Sequence, residues 1–284
     1  MSHSNKFYPL LPIVKHFITK SRTGKRLQPN GKRISAGTVV NYTYLYKHLE
    51  GFEQLQVKAG HEALRIRAVS RLNAKELIVE KNYWKRFYSS FLDYLYSLNC
   101  YDNYVGSQIK RLRCVFRYAE LELMISVGSF YKLFHVPKEE VPIITLHPER
   151  LSFLIENKKL SQGLSEALRI VNDIFVFGCT VALRFSDLIA IRKTDIQMNG
   201  ERHYLVVRAQ KTGTVTRVPL PKYALDIIAR QSKNGRQTIF APINLVLFNA
   251  RIRQLCEQVG WTEEIGKERS KRGEQKTFLH PIRN

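Results

Sequence analysis

The sequence is short of cysteine, of acid and of long apolar runs, and each shortage excludes something. Its four cysteines, Cys100, Cys114, Cys179 and Cys256, stand far apart and form no CxxC pair. A disulfide framework or a zinc site needs close or regularly spaced thiols, so reduced thiols and no bound metal or other cofactor are the expectation. No window reaches the run of about 18 apolar residues that a membrane-spanning helix requires. The opening, MSHSNKFYPLLPIVKHF, lacks the charge-then-apolar order of a signal peptide, and Lys15 and His16 interrupt its short apolar patch. Internal repeats and low-complexity tracts are also missing. A cytoplasmic globular protein is the reading these absences leave.

The scarcity of acid carries the most information. Only 24 Asp and Glu face 46 Lys and Arg, a formal net charge of +22 over 284 residues. Self-repulsion on this scale opposes compaction, and it persists where a polyanion neutralises it. With no membrane segment in view, nucleic acid is the expected partner rather than an anionic bilayer. The excess is uneven. Residues 1–138 hold 23 basic and 9 acidic side chains, a net of +14, against 23 and 15, a net of +8, in residues 139–284. A hydrophobic share of 44% is enough for one large core or two modest ones.

Apolar spacing divides the chain in the same place. Residues 7–20 read as a short helix, followed by a basic surface loop, SRTGKRLQPNGKRISAGT. Thr38 precedes a helical series at Tyr42, Leu45, Leu49 and Phe52, and 58–81 is a weaker, charged stretch. Phe87, Phe91, Leu92, Leu95 and Leu98 make the next amphipathic helix. Ser107 is expected to cap another, whose inner face is Ile109, Leu112, Val115, Phe116 and Ala119. KEEVPIITLHPER, with two prolines and no period, reads as a linker, and Pro148 suits the first turn of a new helix. After a helix through Leu164, Leu168, Val171 and Phe175 the pattern changes. DIQMNGERHYLVVRAQKTGTVTRVPLP reads as three short strands turning at Asn199-Gly200 and Thr212-Gly213. Helices return in PKYALDIIARQ and LVLFNARIRQLCEQVG. The expected architecture is therefore an all-α domain over 1–138 and a mixed α+β domain over 139–284 with a small three-stranded antiparallel sheet.

CTVALRFSDLIAIRKTDI resembles the first conserved box of the tyrosine recombinases, the phage-integrase family. Arg184 stands at the arginine position and Asp187 at the acid three residues later, where it is expected to cap its helix and orient Arg184. A guanidinium fork suits the two non-bridging oxygens that gain charge when a phosphodiester is attacked. RHYLVVRAQKTGTVTRVPLP is similar to the family's sheet, whose hairpin carries a lysine, and Lys211 falls there. The resemblance implies a general acid that protonates the departing 5′ oxygen. His280, Pro281, Ile282 and Arg283 match the family's His-x-x-Arg box, which implies a proton-shuttling histidine and a second phosphate arginine. The family places its nucleophilic tyrosine beyond that box, yet none of the fourteen tyrosines here follows Tyr223. The expectation is a recombinase core that does not cut by itself.

TGKRLQPNGKRISAGTVVNYTYLYKHLEGFE is similar to the opening of the family's helical, SAM-like core-binding module, particularly in mobile-element integrases of Bacteroides-type bacteria. SQIKRLRCVFRYAE is similar to that module's last DNA-facing helix. Ser107, Lys110, Arg111, Arg113 and Arg117 are its candidate DNA contacts, with Lys110, Arg113 and Arg117 sharing one side. Thr38, Asn41 and Lys47 are candidates on the second helix. The resemblance covers roughly residues 6–284. It implies two domains that close on double-stranded DNA as a clamp, metal-free strand breakage and rejoining for DNA integration, a place at the bacterial nucleoid, and tetramers on DNA, with this chain a monomer in solution. The rival reading is a non-catalytic DNA-binding protein that occupies recombination sites. An unrelated RNA-binding protein would need aromatic stacking motifs, which are not found.

Overall fold

The computed structural model describes residues 6–281 except 71, 142, 144 and 234. Contacts between Cα atoms gather the chain into two compact units. The first runs to Val141 and takes back Glu268–Thr277; the second holds the chain between those segments and resumes at Phe278.

The first unit is built on four helices: α1 (Leu10–Arg22), α2 (Ala36–Lys58), α3 (Ala74–Ser97) and α4 (Asp102–Leu121). Their apolar stripes meet in one core in which Phe17, Leu45, Leu49, Phe91, Leu112 and Phe116 are fully buried. At its centre Trp84 packs edge-on against Phe87 and Phe116, with centroids 5.2 and 4.9 Å away. Rings of this size bury large areas, at about 25 cal/mol per Å² of apolar surface. The unit is not purely helical. Strand β1 (Phe7–Pro9) pairs antiparallel with β2 (Arg65–Arg67), so the charged stretch after α2 is partly a strand.

Two helix starts differ from the sequence reading. Helix α3 begins at Ala74, thirteen residues before Phe87, behind a capping box in which Asn73 and Glu76 bond each other's main chain. The pattern there is inverted: Ile78 and Val79 are exposed while Glu80 is fully buried. Glu80 accepts Arg65 Nη1 with both oxygens, at 2.8 and 2.7 Å. Helix α4 starts at Asp102, so Ser107 is an interior residue and not its cap.

Asp102 does not cap α4, because its carboxylate serves a turn some 170 residues on. Strands β6 (Glu264–Lys271) and β7 (Glu274–Pro281) form a hairpin that the sequence did not suggest. Its turn is made by Arg272 and Gly273, both at positive φ (58° and 79°). Asp102 accepts the Arg272 N–H at 2.9 Å, the Gly273 N–H at 3.0 Å, the Ser270 hydroxyl at 2.6 Å and the Tyr96 hydroxyl at 2.6 Å. Glu139 accepts Arg269 Nη2 at 2.8 Å and the Ser270 N–H. Both carboxylates are buried. Burial raises their pKa values, but the hydrogen bonds outweigh it and hold both below the ordinary range.

The second unit contains α5 (Pro148–Glu156), α6 (Lys158–Gly163), α7 (Glu166–Val181), α8 (Phe185–Ile189), α9 (Lys222–Gln231) and α10 (Leu245–Gln258). Between α8 and α9 lies the antiparallel sheet β3 (Ile196–Asn199), β4 (Arg202–Arg208) and β5 (Val215–Pro219), with β4 in the middle. Its turns fall at Gly200 and Gly213, both at positive φ, as the Asn-Gly and Thr-Gly pairs indicate. Val171, Ile174 and Phe177 of α7 are fully buried at its centre.

Two measurements check this packing. Gly106 of α4 lies so close to the main chain that an added Cβ would sit 2.0 Å from the Pro137 carbonyl oxygen. Gly106→Ala should therefore destabilise the protein in chemical denaturation by about 1–3 kcal/mol, although alanine is the better helix former. Unchanged stability would contradict the close approach. The hairpin turn should be acid-labile. The lowered pKa values mean its stabilisation is complete above the ordinary values of 3.8 for Asp102 and 4.5 for Glu139, and drains away as pH falls through the depressed ones. Hydrogen exchange should show protected Ser270, Arg272 and Gly273 amides at neutral pH. Asp102→Ala should lose that protection at neutral pH.

Candidate nucleic-acid interface and catalytic residues

In the second unit the candidate arginine and lysine sit on two turns that a single bond joins. Helix α7 ends in Ala182 with a left-handed backbone, φ 51°. Such a conformation is uncommon for a residue with a Cβ, and it reverses the chain sharply at the end of the helix. Arg184 then serves as the N-cap residue of α8, with its side chain exposed. Lys211 lies at the tip of the β4–β5 turn, also exposed. That turn is closed by Ala209 N–H to Thr214 O at 2.8 Å, Gly213 N–H to Ala209 O at 2.8 Å and Arg208 Nη1 to Gly213 O at 3.0 Å.

Asp187 is the joint. Its carboxylate is buried and accepts the Gln210 N–H at 3.1 Å. The expectation that Asp187 caps α8 and orients Arg184 is thus corrected: no side chain caps α8, and the carboxylate reaches across to the lysine turn. The acid lies three residues after Arg184 and its acceptor bond one residue before Lys211. A main-chain N–H is a fixed donor, so this bond sets the lysine turn against the arginine turn.

His280, the third candidate, is the seventh residue of β7. Arg283 lies outside the described residues. Tyr204, in the middle strand, pairs with Gln197 on one side and Pro219 on the other, and the Arg217 guanidinium covers its ring at 4.2 Å.

In the first unit α4 presents the cations. Lys110, Arg113 and Arg117 line one groove of about 670 Å³ together with Glu120, Tyr131 and Lys132. The expected shared side is therefore present, and it gains Lys132 from a 3-10 turn (Phe130–Leu133) that apolar spacing did not mark. Tyr131 donates to Glu120 at 2.8 Å. Burial and that carboxylate push the phenol up to about 12.

Arg111 departs from its expected place opposite the apolar face. It is half-buried on another side of α4, near Tyr104 and Tyr42, and burial lowers its pKa. Its positive charge adds to burial in lowering the pKa of His48, whose ring bonds the Tyr104 hydroxyl at 2.7 Å. Ser107 is half-buried one turn before Arg111. On α2, Asn41 and Lys47 are exposed, and Thr38 bonds the Ser35 hydroxyl at 2.9 Å in the first turn. None of these three lines the α4 groove.

Asp187→Ala should leave the Gln210 amide without its partner. Loss of a buried acceptor costs roughly 1–3 kcal/mol. Amide exchange across residues 209–214 should quicken while the β3–β4 ladder keeps its protection. Equal protection in the variant and the parent would show that the turn holds itself.

No family model matches the chain, and no curated protein matches it. Solved structures do. The Tn1549 transposon integrase, in complex with transposon right end DNA, aligns over 96% of this chain and 81% of its own, with 13% identity and a TM-score of 0.55. The XerH site-specific recombinase, in a post-cleavage complex on a palindromic difH substrate, aligns over 93% and 80%, with 11% identity and a TM-score of 0.59. At this identity the likeness is one of fold, and it extends along both units. The chain shares the fold of these two DNA-bound proteins, an integrase and a site-specific recombinase.

Proposed function

We propose that this chain grips duplex DNA as a site-specific recombinase or integrase does. In this reading residues 1–138 are the core-binding domain and 139–284 carry the chemistry of strand breakage and rejoining. The observation that carries it is the Asp187–Gln210 bond, which supports a phosphate site shared by Arg184 and Lys211.

Each residue's role follows from the charge that moves. Nucleophilic attack on phosphorus places negative charge on two non-bridging oxygens, and Arg184 offers a planar fork of donors to them. The departing 5′ oxygen needs a proton, and Lys211, on a rigid exposed turn, delivers it. His280 assists the proton transfer and Arg283 completes the phosphate clamp. The reaction passes through a phosphotyrosyl ester, so no metal is required.

The nucleophile is the missing part. No tyrosine follows Tyr223 in these 284 residues, and Tyr204 is fixed within the sheet beneath Arg217. In-line attack needs the phenol about 3 Å from phosphorus, and a displacement of about 1 Å costs on the order of a hundredfold. In this reading these 284 residues by themselves bind without cutting. The second reading is a non-catalytic protein that occupies recombination sites.

Lys110, Arg113 and Arg117 supply backbone contacts from α4, and Thr38, Asn41, Lys47, Ser107 and Arg111 are further DNA contacts on α2 and α4. Binding to a duplex should weaken linearly in log affinity against log salt, with a slope of about −0.9 per phosphate neutralised. Arg113→Ala and Arg117→Ala should each reduce both affinity and slope, uniformly across sequences. Salt-independent binding would exclude this interface. A nicked suicide duplex should leave no covalent adduct on a denaturing gel. An adduct lost in any one Tyr→Phe variant would overturn the missing nucleophile.

A further inference from the structure

The loop after α1 is built as an ordered ribbon. Leu27 and Arg33 form an antiparallel bridge, and the Gln28 N–H donates to the Lys32 carbonyl at 2.9 Å. The turn between them is closed by the Gly31 N–H to the Gln28 carbonyl at 2.9 Å, with Gly31 at φ 76°. Asn30 Oδ1 accepts the Lys32 N–H at 3.1 Å, and Gln28 Nε2 donates to the Arg33 carbonyl at 2.9 Å. Arg26 roots the ribbon. Its guanidinium stacks 4.2 Å from the Phe17 ring and donates to the buried Ser21 hydroxyl at 3.2 Å.

Between this ribbon, the end of α1 and α4 lies a second open groove of about 740 Å³. Lys20 comes from α1, Lys25 from the ribbon and Arg117 from α4, while the floor holds the His16–Tyr118 pair at 3.1 Å. Glu122 is the single acid among its lining residues. Cys114, Arg117 and Leu121 line this groove and the α4 groove alike. The two grooves therefore adjoin, and Arg117 lines both.

We propose that the ribbon and α1 form a second backbone clamp, in which the sugar-phosphate chain of duplex DNA crosses α4 at Arg117 and enters the groove of Lys20 and Lys25. This inference rests on the DNA-binding reading and extends it to Lys20 and Lys25, which were not among the candidate contacts. The distribution of charge selects the ligand. Lys20, Lys25, Arg26 and Arg117 line the groove from three separate elements, an arrangement that suits phosphates repeated along a strand. The ribbon's own hydrogen bonds mean that little order has to be imposed when DNA arrives.

The test is a salt titration of duplex binding by the full chain and by the Lys20→Ala/Lys25→Ala double variant. Neither side chain takes part in the bonds that root the ribbon. The slope should fall by about 0.9 for each contact removed, with an affinity loss that is the same for unrelated duplex sequences. Exposed Cys114, in the wall of both grooves, supplies an independent readout. Bound duplex should slow its alkylation by a maleimide, measured by mass spectrometry, and the double variant should lose part of that protection. If Arg113→Ala weakens binding while Lys20→Ala/Lys25→Ala does not, the ribbon clamp is wrong and the α4 interface stands. If neither variant changes the slope, the DNA-binding reading itself is wrong, and this inference falls with it.

Discussion

A buried carboxylate that accepts a main-chain N–H from a distant turn is the interaction on which the candidate chemistry depends. Asp187 holds Gln210 in this way, and the two neighbours of that bond along the chain are the turns of Arg184 and Lys211. Positioning groups on separate elements requires a tie that does not stretch, and a main-chain donor within a closed turn provides one. A salt bridge between long side chains would allow far more movement.

The first unit uses the same device at Asp102 and Glu139. Their oxygens take the N–H groups of Ser270, Arg272 and Gly273. Acids are scarce in this chain, and these three are buried, each accepting at least one main-chain N–H. Some cations are also withdrawn into structure: Arg26 on Phe17, and Arg65 against Glu80 and Tyr83. On α4, α1 and the ribbon beside them, Lys110, Arg113, Arg117, Lys20 and Lys25 line two adjoining grooves.

Local signals were legible where side chains and backbone agreed. The Asn-Gly and Thr-Gly turns fixed the three-stranded sheet, Pro148 marked the start of α5, and the i, i+3, i+7 spacing of Lys110, Arg113 and Arg117 gave a common face. Long-range partners hid the rest. Glu80 reads as a surface acid until Arg65 is brought to it, so α3 seemed to start late. Asp102 opens α4 unannounced, because its bonds go to Ser270, Arg272 and Gly273 far along the chain. The β6–β7 hairpin showed little alternation, since EIGKERSK and EQKTFLHP are largely polar, and only the Arg-Gly pair hinted at its turn. The ribbon at 24–33 carried its signal in Asn30-Gly31, yet a basic loop rich in turn residues looks the same whether or not it pairs with itself.

Photo-cross-linking of the full chain to a duplex carrying a photoreactive group on its backbone measures most directly whether these surfaces meet DNA. The account places cross-linked peptides in two regions: α4 from Lys110 to Arg117, and the turn from Arg208 to Thr214. Adducts confined to other surfaces, with both regions unlabelled at saturating DNA, would contradict it.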